Sequence, residues 1–458
     1  MYHNEIKKVT IPATVTFIGT GAFERCDNLK SVVFKDGIED LSLYENSFWK
    51  TAIDSLYMGR NLNILEGHYI NYWSSLKSLT IGPGASQSSK NFFLTRANIL
   101  KILDTDIPYV FTAELSANTI YVGRRLISDG RNNHGAITGE CSSITFGKKV
   151  TELDNYYFRN LLIKDFTIPT AIKELKDNTF RECSITNFII EQSDTPLILE
   201  SYNALYRTEI DSLYLGRELV YADNSFGVFS PRNWYNSKLN SILKYVYMDD
   251  NVVNINGAAF QYDNYITYVR FSPFVETIPG ACFDHSGAIR DLVMPKSLKA
   301  VEYSAFSNCG IDIADFSNTK LETIGNRAFY CALGLTKIVL PTTITQIGNE
   351  ALAWCSKLNE IIIYSKQVPT IYERTFYNTT LSNITLRVPE DMVEAYKADS
   401  QWKKIKNIVP IETSDIKNVV SSNNDNLKAY YIDGIHSDNR KGLLIVPTTK
   451  GYKKCLKR

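Results

Sequence analysis

The chain has 458 residues and carries 50 Lys and Arg against 49 Asp and Glu, a formal net charge of +1. That balance excludes attraction to nucleic acid or to an anionic membrane through an overall field. Hydrophobic residues reach 44%, far too many for a disordered chain, and no apolar run approaches the roughly 18 residues of a membrane-spanning helix.

Read from its start, the chain repeats itself. Val9–Cys26 (VTIPATVTFIGTGAFERC) and Leu29–Phe48 are two turns of one pattern. A variant follows at Ile53 (IDSLYMGRNLNILEGHYI), with Gly59-Arg60 in place of a proline, and it returns at Ile120–Arg125 and Ile210–Arg217. Three occurrences make it a second repeat type, as duplication of a two-coil unit would. Residues 77–117 keep strand-like runs such as Leu76–Ile81 but lose the Ala-Phe pair. Regular coils resume at Ile144, with anchor Phe158, and at Ile163, with anchor Phe180. Two insertions interrupt them: the Gly/Asn-rich Asp129–Cys141, and Ala222–Leu239 with Phe226, Phe229, Trp234 and Tyr235. Long loops in a compact repeat point to function, although drift in coil length would also produce them.

From Leu243 to Phe376 the pattern is regular. Its anchor falls at Phe260, Phe283, Phe306, Phe329, Leu352 and Phe376, in steps of 23, 23, 23, 23 and 24 residues. A fixed period in the twenties marks a solenoid, each repeat one coil. In the coil Leu335–Cys355, Ile338 and Leu340 alternate with Lys337 and Val339, the period of a strand with one buried face. Pro341 closes the strand because it offers no backbone donor. Ile344–Asn349 then supplies two inward residues and a glycine turn. In the closing Ala-Phe-x-x-Cys, the small residue admits a close backbone while the ring fills the coil. Stacked coils should therefore build a parallel sheet on one side and an aromatic ladder within.

After the array, residues 389–405 are expected to form a capping helix. Pro389 suits its first turn, Glu390 and Asp391 its positive end, and Lys403 and Lys404 its negative end. Val393, Tyr396 and Trp402 supply an apolar stripe to cover a core that the last coil would expose. Residues 1–411 thus make one domain. Residues 412–458 make a second region, a polar linker (Thr413–Asn426) and a β-like tail built from Tyr430–Gly434 and Gly442–Pro447.

The pattern L-x-x-I-x-L-P-x-x-[IV]-x-x-I-G-x-x-A-F-x-x-C resembles the BspA-like (treponemal-type) leucine-rich repeats of bacterial surface proteins, over about residues 5–411. Residues 388–405 resemble the usual terminator of such arrays. The tail, of the form Y-x-x-x-G…K-G-x-x-I-V…K, is similar to those of exported Bacteroidetes proteins. The resemblance implies a right-handed leucine-rich repeat solenoid, mostly β, with short irregular or helical connections opposite the sheet. It also implies an extracellular or cell-surface protein that adheres to host matrix proteins or other cells, its export signal removed from this numbering.

No catalytic motif is present: metalloprotease H-E-x-x-H, C-x-x-C, G-x-S-x-G, P-loop and dinucleotide fingerprint are all missing. His3, His68, His134, His285 and His436 are scattered, and Asp104/Asp106 and Asp249/Asp250 read as solvated loop acids rather than calcium ligands. The expectation is a monomer without catalysis, metal or cofactor. Cys26, Cys183, Cys309 and Cys355 sit three after an anchor, which reads as a small buried hydrophobe. Stacking could bring Cys309 and Cys331 within disulfide range, but Cys26 and Cys183 have no such neighbour, so free thiols are expected.

Tyrosine recurs on the outward face of the strands, at Tyr57, Tyr121, Tyr214, Tyr245, Tyr247 and Tyr268. Binding surfaces favour it, and strands favour it too. Tyr214, Tyr245, Tyr247, Tyr268 and Arg270 are expected to form one aromatic patch with a cationic edge, the candidate site for a protein or glycan. Three classes remain open: an adhesive binding protein, a glycan-binding accessory protein of a carbohydrate-use system, and a structural envelope protein.

Overall fold

The computed structural model describes residues 5–64, 75–88, 96–112, 114–128, 136–221, 229 and 242–412, with three strands near the C-terminus. The linker Thr413–Asn426, most of the Ala222–Leu239 insertion and the first half of Asp129–Cys141 lie outside the described residues. The fold is a parallel β-solenoid of about 15 turns, nearly all strand and turn. It divides into two compact units, residues 1–186 with 197–209 and 221–223, and residues 187–196 with 210–220 and 224–458.

In the first unit, Lys8–Ile11, Ser31–Phe34, Ser55–Met58, Ser75–Ile81, Arg96–Ile102, Ala117–Val122 and Ser143–Phe146 pair in chain order. Each strand buries alternate residues, Val32 and Phe34 and then Leu56 and Met58, as the period-2 pattern requires. A second row runs alongside, through Phe17–Ile18, Leu41–Leu43 and Leu62–Ile64. In the second unit, Tyr245–Met248, Tyr268–Arg270 and Asp291–Val293 pair in order. Ile313–Asp315, Lys337–Leu340, Glu360–Ile363, Thr385–Val388 and Asn407–Pro410 do likewise.

The anchor rings form the expected ladder. Phe260, Phe283, Phe306 and Phe329 stack with centroids 5.3, 5.6 and 5.4 Å apart and all are buried. Phe23 and Phe48 stack at 5.0 Å, and Phe158 and Phe180 at 4.9 Å. Phe229, which the sequence puts in an insertion open to either function or drift in coil length, stacks on Phe260 at 5.6 Å. It continues the row of stacked anchor rings by one.

The turn around each anchor has a backbone signature that the sequence pattern did not reveal. Every non-glycine residue of positive φ among the described residues lies two before or two after an anchor, with Leu205, which follows Ala204 as the anchors follow a small residue, serving for Arg207. Ala258 and Tyr262 flank Phe260; Arg327 and Cys331 flank Phe329. This alternation sends every second amide along the stack. The amides of Ala258, Phe260 and Tyr262 donate to the carbonyls of Gly280, Cys282 and Asp284 on the next coil, at 2.9, 2.9 and 2.8 Å. Amides between them close three-residue turns within the coil, as Gln261 does onto Ala258.

The position three after the anchor is more than a small hydrophobe. Ser286 Oγ donates to the Phe260 carbonyl at 2.8 Å, Cys355 Sγ to Phe329 at 3.2 Å, and Thr379 Oγ1 to Leu352 at 2.7 Å. In each case the acceptor is the anchor carbonyl of the preceding coil. Cys355 stands there in the role that serine and threonine fill elsewhere, whereas Cys309 donates to the Ser286 carbonyl at 3.3 Å.

The Gly-Arg coils use a different device. Arg60, Arg124 and Arg217 are fully buried. The guanidinium of Arg60 reaches back past one coil to donate to the carbonyls of Pro12 and Ala13, both at 2.8 Å. Arg124 Nη2 donates to the Gly82 carbonyl at 2.9 Å. Burial without a carboxylate partner lowers the pKa of Arg60. The preceding glycine is obligatory, since a Cβ on Gly59 would lie 2.3 Å from the Asp36 nitrogen, and one on Gly123 2.6 Å from that of Asp104.

The cap is shorter than expected. Its α-helix is Val393–Ala398 alone, between 3-10 turns at Glu390–Met392 and Trp402–Lys404. Asp399 ends it by accepting the amides of Gln401 and Trp402, at 2.8 and 2.9 Å. Trp402 seals the last coil: its ring meets Phe376 and Tyr396, and its Nε1 donates to Pro369 at 2.8 Å. Near the C-terminus, Tyr430–Tyr431, Gly442–Thr448 and Gly451–Lys457 pair antiparallel.

Two stability measurements test this architecture. Phe306→Ala should cost about 3–5 kcal/mol in urea unfolding; a neutral result would remove the ring from the ladder. Arg60→Leu strands two carbonyls and should cost about 1–3 kcal/mol for each.

Candidate functional site

The expected tyrosine patch is in register but not on the surface. Tyr214 pairs with Tyr247, Tyr245 with Tyr268, and Tyr247 with Arg270 across adjacent strands. Yet Tyr214 and Tyr247 are only 3% and 2% exposed, packed against Ile189, Tyr245 and Tyr268. Those two cannot meet a ligand, which corrects the expectation. Tyr245 and Tyr268 stay partly exposed. Arg270 is turned inward to the Met248 carbonyl, at 2.8 Å, and to Asp250, at 3.6 Å.

Three of the recurring tyrosines hold their hydroxyls against an aspartate on a neighbouring coil. Tyr57 donates to Asp36 at 2.9 Å, Tyr121 to Asp104 at 2.6 Å, and Tyr214 to Asp249. Burial, then the Asp36 bond, pushes Tyr57 up to about 12; for Tyr121 the Asp104 bond comes first, to about 12. Glycine on the following coil makes room, for a Cβ on Gly82 would lie 2.5 Å from Tyr57 Oη. These tyrosines are coil-to-coil ties.

Exposed aromatic residues gather instead on the turns of the second unit, at positions set by the anchor. The partly exposed Tyr330 follows Phe329, the exposed Trp354 lies two after Leu352, and the exposed Tyr377 follows Phe376. Trp354 is 43% exposed and Tyr377 45%, and their rings meet edge to face at 6.4 Å. The left-handed backbone at Trp354, φ 62°, belongs to the turn and recurs along the array whatever the side chain.

Arginine joins the rings. Glu350, its side chain 5% exposed, takes Arg327 Nε and Arg374 Nη2, each at 2.6 Å. Arg327 then lies over Tyr330 at 5.5 Å and Arg374 over Tyr377 at 4.5 Å. Glu350, and after it Tyr303, raises the pKa of Arg327. A mostly buried carboxylate thus fixes two exposed guanidinium groups beside three aromatic rings, over three consecutive coils. Sequence reasoning looked to the strands and missed this stripe, although the fixed offsets from the anchor could have located it.

The BspA type leucine rich repeat model matches the chain in six copies, over residues 1–112, 136–230, 233–312, 276–400 and 322–432. The chain belongs to the BspA-type leucine-rich repeat family. No curated protein matches the sequence. Similar solved structures include a leucine-rich repeat protein from Bacteroides ovatus, with 15% identity, 84% of each chain covered and a TM-score of 0.31. The pneumococcal vaccine antigen PcpA has 13% identity, 90% of each chain covered and a TM-score of 0.30. A leucine rich cell surface protein from Faecalibacterium prausnitzii has 17% identity, 79% of this chain and 88% of that one covered, and a TM-score of 0.26.

Among the described residues of this BspA-type chain, no group of three or more His, Cys, Asp or Glu is placed to hold a metal, and no helix is long and apolar enough to cross a membrane. The described cysteines are free thiols, Cys309 and Cys331 included. Burial pushes Cys183, Cys309 and Cys355 up to about 12, so at pH 8 they stay protonated thiols. A thiol reagent at pH 8 should therefore label Cys331, the one partly exposed, far faster than the other described cysteines. Equal labelling of Cys309 in the native protein would contradict the assigned burial.

Proposed function

We propose that this chain is a non-enzymatic extracellular or cell-surface protein that binds a macromolecular partner through the turn stripe of Arg327, Tyr330, Trp354, Arg374 and Tyr377. One observation carries the reading: a mostly buried Glu350 holds Arg327 and Arg374 beside the rings of Tyr330 and Tyr377, with Trp354 packed against Tyr377, on three successive coils. Those are the residue types that dominate interface energetics, and preorganisation reduces the ordering cost of binding. Membership of a leucine-rich repeat surface-protein family supports the location and the binding role.

The preferred partner is a protein, because Arg paired with aromatic rings forms protein hot spots. The test is a solid-phase screen of the full chain against extracellular-matrix proteins and against a glycan array. Trp354→Ala with Tyr377→Ala should weaken the partner found by at least about 100-fold. The melting temperature should hardly move, since both rings are almost half exposed. Binding that survives in the double variant would move the site off this stripe.

A further inference from the structure

A second cluster, in the first unit, has the same anchor-relative positions and an unbalanced charge. Arg159 and Arg181 are register partners on adjacent strands, and the Glu182 amide donates to the Tyr206 carbonyl of the next coil at 2.9 Å. The Glu182 carboxylate lies 3.6, 3.7 and 3.5 Å from nitrogens of Arg159, Arg181 and Arg207. The Arg181 guanidinium sits over Tyr156 at 5.7 Å and over Tyr206 at 5.3 Å, and that of Arg207 over Tyr206 at 5.2 Å.

Among the described residues, Arg181 and Arg207 meet no carboxylate other than Glu182, so two cations share one anion. Their contacts are loose beside the roughly 2.7–2.9 Å of a charge-assisted hydrogen bond. The buried Nε of each lacks a hydrogen-bond acceptor. Their side chains are only 23% and 32% exposed, and surplus charge held largely out of water is costly without a counter-charge. In the same unit Arg125 is fully matched, bonded to Asp154 at 2.6 and 2.7 Å and to Glu152 at 2.6 Å.

We propose that Arg181 and Arg207, with Arg159 at their edge, form an oxyanion site for a carboxylate or sulfate group on an acidic polysaccharide. The tyrosine rings hold the guanidinium planes by their faces and leave the N–H edges to form a fork with an oxyanion. A net charge of +1 gives the chain no general field for polyanions, so recognition here is local, one or two charges at a point. Tyr156 and Tyr206 are partly exposed beside that point. Aromatic rings next to an anion site suit a sugar, whose C–H face packs on them; a peptide carboxylate brings no such ring. The cluster shares no residue with the Trp354 stripe, so either site can fail alone.

The test is calorimetry of the full chain at low salt with polygalacturonate, dextran sulfate, uncharged dextran, polyglutamate and sodium sulfate as probes. The acidic polysaccharides should bind and dextran should not. Arg181→Gln with Arg207→Gln should weaken that binding at least tenfold, and Arg181→Lys, which keeps the charge but loses the fork, should weaken it as well. Glu182→Gln should tighten it several-fold by removing the internal competitor, a gain that no misfolded variant would show. Unchanged affinity in the double Gln variant overturns the site. So does polyglutamate binding as tightly as the polysaccharides, or sulfate binding when neither polymer does.

Discussion

Each coil is tied to the next through a turn whose alternate amides point along the stack, and the rest of the molecule depends on that tie. The alternation requires left-handed backbone two before and two after the anchor, in residues as bulky as Tyr262, His285 and Trp354. Such conformations cost about 1–2 kcal/mol each in a non-glycine residue. Three hydrogen bonds to the next coil return about 0.5–1.5 kcal/mol apiece, which roughly cancels the two strained residues. The balance is tipped by the ring between them, worth about 1.5–3 kcal/mol when buried. That is why the anchor is aromatic or leucine in every regular coil, and why the ladder through Phe260, Phe283, Phe306 and Phe329 has no break.

What was legible in the sequence is what repeats as side-chain type. The 23-residue step located the anchors, the strands and the ladder, because burial selects the same residue class in every coil. The left-handed positions were hidden, since the backbone there accepts Ala258, Arg327 and Glu350 alike; asparagine at positions 46, 160, 178, 308 and 378 was the one trace of it. Phe229 was hidden for another reason. It stands 31 residues before Phe260, off the 23-residue step, so a ring of the ladder looked like loop decoration.

Two members of the tyrosine patch, Tyr214 and Tyr247, are buried, which spacing cannot predict. Alternation along a strand says which face a residue is on, not whether that face is covered. Tyr57, Tyr121 and Tyr214 are on the predicted face, and each carries its hydroxyl to an aspartate on a neighbouring coil. The Gly-Arg phrase belongs to the same device. Tyr57 ties to the coil before it, Gly59 lets that coil's backbone press close, and Arg60 crosses it to reach the coil beyond. Three coils are fastened by one short phrase, where a regular coil fastens two. A coil lacking the Pro and Ala-Phe-x-x-Cys elements can therefore keep its place in the stack.

The same separation of backbone from side chain explains where a binding surface can arise. Some strand residues are claimed from both sides, by the core and by ties between coils such as those of Tyr57, Tyr121 and Tyr214. At the turn, the backbone bonds to the next coil do not depend on the side chain two before the anchor, nor on those one and two after it. Along the second unit the position two before the anchor reads Ala258, Ala281, Ser304, Arg327, Glu350 and Arg374, changing from inert to charged with no change in the turn. A substitution there alters the surface without disturbing the stack, and substitutions on successive coils fall in line beside one another. Glu350 shows the consequence: it occupies a strained but architecturally required backbone position, and from it holds two arginines from its two neighbouring coils. On the proposed reading, recognition chemistry is added to the repeat where the fold leaves side-chain identity free, at the positions that flank the anchors.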